Sequence, residues 1–208
     1  PGVMSVARRR KSEKKQGSLI ELVSIVAVAL LLALGIQAFL VKPFRIPSES
    51  MVPTLTVGQR VLVDRVSYRF TDPERGDIIV FKPPRGADDN TCGVEQGSLQ
   101  PCPRPTKERS DTNFIKRVVG LPGERLKVEG GRVVINGKPL DEPYIEPDES
   151  CGICNLTEEI TIPEDHYFVM GDNRGQSADS REWGPVPKEW IIGQAFFTYW
   201  PPKRIGLL

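Results

Sequence analysis

The hydrophobic pattern divides the chain into one long apolar run followed by a series of short strands. The run covers residues 22–41, about 20 residues without a charge. At 1.5 Å per residue, a helix of this length covers a hydrocarbon core of roughly 30 Å. A helix buried in a protein core is usually amphipathic, whereas this segment is apolar on all sides. The pattern predicts a single N-terminal transmembrane helix.

The charge in front of the run predicts its orientation. Residues 8–15 carry six basic side chains and one acid, a net charge of +5. Basic flanks stay on the cytoplasmic side, so the arm 1–21 is expected inside and everything after Lys42 outside. A cleaved signal peptide is the alternative, because residues 33–35 (Ala-Leu-Gly) have small residues at the right spacing. The apolar run continues past that point, which favours an uncleaved anchor.

Beyond the run, β-branched and aromatic residues form short segments that are separated by turn residues. Strands are predicted at Arg60–Val66, Asp77–Lys82, Phe114–Val119, Arg125–Val128, Arg132–Ile135, Tyr167–Met170 and Ile191–Trp200. Gly130-Gly131 and Asn136-Gly137 are turn signals. Helical periodicity is absent. We therefore expect residues 44–208 to form one mainly β domain, a folded sheet or barrel, with a long insertion loop over residues 83–111.

The overall charge excludes one class of partner. The chain carries a net charge of +1, so the residues outside the basic arm carry about −4. A nucleic-acid-binding surface needs a concentration of basic side chains, and the sequence has none outside the arm. We expect no nucleic-acid partner.

Four cysteines lie in the part of the chain that is predicted to be outside. They are Cys92, Cys102, Cys151 and Cys154. An even number in an oxidising compartment favours disulfides. Three pairings are possible, and the most local one joins Cys92 to Cys102 and Cys151 to Cys154. A four-cysteine zinc site is the alternative, since the C-x-x-C spacing fits half of it. A redox-active C-x-x-C is less favoured, because no βαβ pattern surrounds it.

One serine and two candidate bases could supply nucleophilic chemistry. Ser50 follows the apolar run by nine residues, which span at most roughly 30 Å, so it is expected close to the membrane surface. A serine hydroxyl needs a base. The single histidine, His166, lies at the start of a predicted strand, where a lone histidine more often has a structural role than a catalytic one. Lys116 lies in an apolar strand, where burial would lower its pKa and make it a base.

Four ordered segments resemble the conserved boxes of type I signal peptidases. They are Pro47–Leu55 (PSESMVPTL), Gly76–Phe81 (GDIIVF), Lys116–Glu124 (KRVVGLPGE) and Gly171–Arg181 (GDNRGQSADSR). Together with the apolar run in front, the resemblance covers nearly the whole chain. It implies a β-rich catalytic domain with a Ser–Lys dyad. The single span, the cysteines and the C-terminal segment are similar to cyanobacterial or plastid members.

The resemblance assigns roles to individual residues. Ser50 would be the nucleophile and Lys116 the general base, while the Ser48 hydroxyl and the Ser50 N–H would form the oxyanion hole. Ser177 would orient the Lys116 ammonium, and Asp179 and Arg181 would form a supporting ion pair. The residues that would line shallow apolar pockets for small residues at −1 and −3 of the substrate are Phe44, Ile46, Met51, Leu55, Phe114 and Ile115.

The resemblance also implies the setting of the protein. It would act on preproteins with signal peptides, as a monomer in the plasma or thylakoid membrane, without metal or cofactor. Two other functions remain open. One is an anchored β domain that binds exported proteins without cleaving them, which the presence of both Ser50 and Lys116 disfavours. The other is a self-cleaving Ser–Lys repressor relative, which the apolar run disfavours because such proteins are soluble.

Overall fold

The computed structural model of the protein describes residues 19–35, 40–145, 151 and 153–208. The first element is a helix, α1, over residues 19–35, whose apolar side chains are exposed. Within the described part of the chain, no helix is long and apolar enough to cross a membrane. Residues 36–39 of the expected span, and most of the basic arm, lie outside the described residues. The predicted transmembrane helix over residues 22–41 is therefore not confirmed.

Residues Pro43–Leu208 form a compact unit that is mainly β, as predicted. The strands of the described chain are β1 (Val41–Arg45), β2 (Arg60–Asp64), β3 (Ile78–Phe81), β4 (Phe114–Gly120), β5 (Arg125–Glu129), β6 (Arg132–Ile135), β7 (Lys138–Pro139), β8 (Leu156–Thr161), β9 (His166–Met170), β10 (Val186–Pro187), β11 (Ile191–Trp200) and β12 (Gly206–Leu207). A short helix, α2, covers Ser180–Trp183.

These strands form two sheets. The larger one has the order β1-β2-β11-β3-β4-β9-β10, with β12 beside β11, and the smaller one has the order β7-β6-β5-β8. Two tight turns connect strands of the smaller sheet: Gly130-Gly131 joins β5 to β6, and Asn136-Gly137 joins β6 to β7. All four turn residues have positive φ angles, which glycine and asparagine adopt more readily than other residues. The two hairpin signals in the sequence are confirmed.

Strand β4 lies in the middle of the larger sheet and is packed on both faces. Ile115 contributes to a cluster with Met51 and Leu55, whereas Val118 on the opposite face belongs to a cluster with Trp183. A strand that is buried on both faces reads as a continuous apolar segment. For that reason the polar Lys116 is conspicuous within it.

All seven strands expected from the sequence are present, with ends shifted by up to two residues. Residues 83–111 lie between β3 and β4 and contain one short 3₁₀ helix and an isolated bridge between Pro84 and Arg109. The expectation of no further helix was wrong, because α2 is present. Its four residues are too few for periodicity to be recognised.

Both expected disulfides are present, in the most local pairing. Cys92 is bonded to Cys102, and Cys151 to Cys154. A four-cysteine zinc site needs free thiolates. Because the sulfurs are bonded in pairs, the structure favours the disulfide interpretation over the zinc alternative.

Candidate active site

The segment that carries Ser50 is a tight turn, and buried side chains of the core hold it in place. The Val52 N–H donates to the Glu49 carbonyl at 3.0 Å, and the Leu55 N–H donates to the Met51 carbonyl at 2.8 Å. Met51 and Leu55 are fully buried in the cluster that also contains Ile115. This packing holds the turn in place while Ser50 itself stays next to a cavity.

Lys116 reaches the same cavity from the centre of β4. Its register partner on β3 is Ile79, and only 4% of its surface is exposed. Burial lowers the pKa of Lys116 to about 8, because removing water disfavours the charged ammonium. Nearby charges act in both directions: Asp179 and other acids raise the pKa, and Arg181 lowers it. Desolvation is the larger effect, so a substantial neutral fraction exists near pH 8.

The cavity has a volume of about 500 Å³. Its lining combines polar groups that can do chemistry with an apolar wall. Seven residues with an assigned role line it: Ser48, Ser50, Lys116, Phe44, Ile46, Phe114 and Ile115. Six further residues line it without having been assigned from the sequence: Arg45, Pro47, Val80, Asn113, Gln176 and Ala178. Met51 and Leu55 lie in the core below, so they shape the cavity without facing it.

The hydroxyls of Ser48 and Ser50 lie near each other. Their Oγ atoms are 3.4 Å apart, and either of them can be the donor. Ser48 is exposed, whereas Ser50 has only 6% of its surface exposed. A negative charge that develops on a carbonyl beside Ser50 therefore has a second hydroxyl within reach.

A buried carboxylate, Asp179, organises the segment opposite Ser50. It accepts hydrogen bonds from the Ser177 hydroxyl at 2.8 Å, from the Gly171 N–H at 3.1 Å and from the Arg181 guanidinium at 2.8 and 2.9 Å. Burial raises the pKa of Asp179, but the charge and hydrogen bonds of Arg181, the Lys116 charge and the Gly171 N–H outweigh it. The net result is a lowered pKa. Asp179 is thus a stable anion beneath the site.

The ion pair between Asp179 and Arg181 was expected, and both side chains have an exposure of 0%. Ser177 has a different partner from the expected one. Within the described residues its hydroxyl donates to Asp179, and no hydrogen bond joins it to Lys116. The oxygen of Ser177 keeps lone pairs that can accept a hydrogen bond from the Lys116 ammonium, so its orienting role stays a prediction.

Two residues that sequence reasoning missed hold this segment against the nucleophile. A Cβ on Gly171 would lie 2.3 Å from the Ser50 carbonyl oxygen and 2.3 Å from the Ser177 Oγ, so only glycine fits between them. The Asn173 N–H donates to the Ser50 carbonyl oxygen at 3.1 Å. Gly171 was visible in the sequence as part of a box, but its close contact arises only when two distant segments pack together.

A second link joins the same segments on the far side of β4. The Arg117 guanidinium makes two hydrogen bonds to Asp172, of 2.8 and 2.7 Å, and the Thr54 hydroxyl donates to Asp172 at 2.5 Å. Thr54 follows Ser50 in the same turn. The link ties the nucleophile turn to β4 and to the segment that begins at Gly171.

The alternative base, His166, lies at a different place. It lines a separate cavity of about 850 Å³, and its Nδ1 is 2.7 Å from the Glu164 carbonyl oxygen. It does not line the cavity of Ser50. Lys116 is the basic side chain that shares that cavity and is also buried.

Comparison with known proteins places the chain in a family. Residues 19–200 match the family model described as signal peptidase, peptidase S26. The chain is 42% identical over 197 residues to a signal peptidase I of Leptolyngbya laminosa, which covers 94% of this chain and 86% of that protein. It is 39% identical over 202 residues to a probable signal peptidase I-2 of Synechocystis, covering 96% and 82%. It is also 39% identical to a probable chloroplastic thylakoidal processing peptidase 2 of Arabidopsis thaliana, covering 86% of this chain and 43% of that protein.

Proposed function

Since the chain belongs to the signal peptidase family, peptidase S26, we propose that Ser50 and Lys116 form its catalytic dyad. Membership makes the protein a serine endopeptidase that removes signal peptides from preproteins. The observation on which the dyad rests is the shared cavity, because Ser50 and a buried lysine with a pKa of about 8 both line it.

In the first half of the reaction, the neutral Lys116 amine takes the proton from the Ser50 hydroxyl. The Ser50 oxygen then attacks the carbonyl carbon of the scissile peptide bond. The oxyanion that forms is stabilised by the Ser50 N–H and the Ser48 hydroxyl. Lys116, now an ammonium, gives its proton to the leaving amine, so the mature protein departs and an ester to Ser50 remains.

In the second half, a water molecule gives its proton to Lys116 and attacks the ester. The same oxyanion site stabilises the second tetrahedral intermediate. When it collapses, the signal peptide leaves as a carboxylic acid and Ser50 regains its proton from Lys116. A lysine suits both halves only if its pKa lies near the working pH, because it must act as base and acid in turn.

Asp179 supports this cycle electrostatically. Its negative charge favours the Lys116 ammonium that each proton transfer creates, and it limits the fall in pKa that burial causes. The Ser177 hydroxyl, which donates to Asp179, would accept from the ammonium and hold it toward Ser50. Arg181 keeps Asp179 ionised although Asp179 is fully buried.

The apolar wall of the cavity supports specificity for small residues at −1 and −3. Bulky apolar side chains line the cavity that contains Ser50: Phe44, Ile46, Phe114 and Ile115. An extended substrate backbone would lie beside β4 and the turn that carries Ser50. Alanine side chains would then enter the pockets, and larger ones would collide with the wall.

We further propose that the protein is attached to a plasma or thylakoid membrane by residues 22–41. The basic arm supports a cytoplasmic N-terminus, with the catalytic domain on the outer or lumenal side. The similarity to an Arabidopsis protein named as a thylakoidal processing peptidase supports a membrane setting. Protease added to sealed vesicles tests this topology, because the two ends of the chain should differ: one should be cut and the other protected.

The decisive experiment compares the wild-type protein with Ser50→Ala and Lys116→Met on one detergent-solubilised preprotein. We expect a single cleavage by the wild type, with the N-terminus of the product directly after a small residue, and no cleavage by either variant. Circular dichroism of the three proteins controls for folding. Cleavage by a correctly folded Ser50→Ala protein would rule out the proposed nucleophile.

A further inference from the structure

The guanidinium of Arg181 is shared between the catalytic segment and a disulfide. Its Nε and one terminal nitrogen bind the Asp179 carboxylate. Its other terminal nitrogen lies 3.5 Å from the Cys151 Sγ and 3.6 Å from the Cys154 Sγ. Arg181 is fully buried, so water cannot replace these partners. Within the described residues, the two sulfurs are the only partners of that nitrogen.

Disulfide sulfur is a weak hydrogen-bond acceptor. The two contacts therefore position the guanidinium mainly by packing against it and by attracting its positive charge. Cys154 is 3% exposed, and its backbone carbonyl accepts from the Gly131 N–H at 2.8 Å. The disulfide therefore forms a fixed wall on one side of the guanidinium, and Asp179 forms the other. The carbonyl oxygens of Arg174 and Ser177 also accept from the guanidinium, at 2.7 and 3.1 Å, so the two sulfurs contact the one guanidinium nitrogen that these groups and Asp179 leave open.

Resting on the proposed Ser50–Lys116 mechanism, we propose that the Cys151–Cys154 disulfide positions Arg181 for catalysis and that its reduction lowers the peptidase activity. The disulfide is a positioning element, since it touches neither substrate nor the reacting atoms. It acts through the Arg181–Asp179 pair, and this makes the activity sensitive to the redox state of the compartment.

The chemical step is a thiol–disulfide exchange with a dithiol reductant. Cys151 is partly exposed and Cys154 is buried, so a reductant thiolate attacks the Cys151 Sγ. The S–S bond breaks, and its electron pair leaves on the Cys154 Sγ, beside the Arg181 cation that stabilises a thiolate. The second thiol of the reductant then releases Cys151 and closes the reductant's own disulfide. Two electrons pass to the cysteine pair. Cys151 takes up one proton, Cys154 stays a thiolate, and the second proton of the reductant goes to solvent.

Reduction has two consequences for the site. The sulfurs are no longer bonded and separate to van der Waals distance, which removes the fixed wall beside Arg181. A thiolate next to the guanidinium also competes with Asp179 for its charge. Both effects leave Asp179 less neutralised. The charged groups that act on Lys116 are Asp179, Arg181, Asp172 and Glu182, and a less neutralised Asp179 favours the ammonium form.

The second disulfide provides an internal control. The Cys102 N–H donates to the Arg181 carbonyl oxygen at 3.0 Å, and the Gln96 side chain donates to the same oxygen at 3.0 Å. These contacts come from backbone and amide groups, and the Cys92–Cys102 sulfurs do not touch the guanidinium within the described residues. Opening that disulfide should loosen the insertion loop with less effect on the ion pair.

The test measures cleavage of one preprotein by the solubilised full chain before and after dithiothreitol, with thiols counted by mass spectrometry. We expect kcat/KM to fall at least about fivefold, the lower end of typical couplings between two sites, and to recover on reoxidation. The rising limb of the pH profile should move to higher pH. Equal activity of oxidised protein and protein with four free thiols would overturn the proposal, as would a loss of equal size at every pH.

Two double variants assign the effect to one disulfide. Cys92→Ser/Cys102→Ser should still respond to dithiothreitol, whereas Cys151→Ser/Cys154→Ser should have low activity and no response. The reverse pattern would refute the assignment. Amide hydrogen exchange of residues 177–183 gives a readout that does not depend on activity. It should become faster when the wild type is reduced, and unchanged exchange would contradict the proposal even if the Ser50–Lys116 mechanism failed.

Discussion

Gly171 lies so close to Ser50 that a β-carbon on Gly171 would stand 2.3 Å from the Ser50 carbonyl oxygen. The same β-carbon would be 2.3 Å from the Ser177 Oγ. The nucleophile turn and the segment that carries Asp179 therefore approach each other through backbone alone. The position of Ser50 relative to Asp179 depends on this contact.

Gly171→Ala should accordingly lower the activity strongly while leaving the fold intact. The methyl group must push apart two segments that both carry catalytic groups, and a displacement of about 1 Å in an active site can cost about 10²-fold in rate. We expect kcat/KM to fall by about that factor. The matched control is Gly206→Ala, because a β-carbon there meets no atom within 4 Å. Full activity of Gly171→Ala would mean that the turn tolerates the shift.

The pH dependence of activity should report Lys116. Only the neutral amine can accept the serine proton, so kcat/KM should rise as pH increases through about 8 and fall about tenfold per unit well below it. Lys116→Arg should be inactive at every pH, since arginine cannot lose its proton in proteins. His166→Ala is the control and should keep the wild-type profile. A profile that follows His166 instead would refute the lysine base.

Burial of the Lys116 ammonium should also lower the free energy of unfolding of the protein. Its folded pKa of about 8 lies below the unfolded value of 10.5, so the unfolded state binds protons more tightly. The cost is therefore complete below pH 8 and is relieved as pH rises from 8 toward 10.5. Lys116→Met should stabilise the fold at pH 7 by an amount on the order of 1–3 kcal/mol, because one pKa unit corresponds to about 1.4 kcal/mol.

Urea unfolding at pH 7 and at pH 10 measures this effect. The gain from Lys116→Met should be larger at pH 7. Lys138→Met is the matched control, because Lys138 is an exposed lysine on β7 and should give little change. If Lys116→Met were less stable than the wild type at both values, the lysine would have a structural role that outweighs its desolvation.

The strands and the dyad were accessible from the sequence for different reasons. The central strands are buried on both faces, and such strands read as continuous apolar segments, which is why β3 and β4 stand out. Strand β8, with the sequence LTEEIT, was missed because only Leu156 and Ile160 face the core. Ser50 and Lys116 were assigned from box resemblance, since 66 positions separate them in the chain.

Contacts between distant segments could not be predicted from the sequence. The requirement for glycine at 171 depends on how closely two loops approach, and no local pattern records that distance. The contact between Arg181 and the Cys151–Cys154 disulfide likewise joins residues that are 27 and 30 positions apart. Met51 and Leu55 were expected in the pocket wall from their place near Ser50, but in a tight turn neighbouring side chains point in different directions. The structure directs these two into the core.

The role of Ser48 can be tested by deleting one oxygen. Its Oγ lies 3.4 Å from the Ser50 Oγ, so Ser48→Ala should lower kcat by about 10²–10³ and leave KM little changed, as for the loss of one oxyanion donor. The exposed neighbour Glu49 supplies the control, and Glu49→Ala should behave like the wild type. An effect confined to KM would assign Ser48 to substrate binding instead.

The apolar wall of the cavity is the basis of the last prediction, which concerns the substrate. Its apolar wall beside Ser50 is built from bulky side chains, including Phe114 and Ile115. We propose that this wall accepts an alanine at −1 and collides with a larger residue. Replacing that alanine by tryptophan in a preprotein should abolish cleavage, whereas serine should be tolerated because it adds a single oxygen. N-terminal sequencing of the products, with tryptophan placed at −2 as the control, locates the constraint. Equal cleavage of the alanine and tryptophan substrates at −1 would show that steric exclusion by this wall does not select the cleavage site.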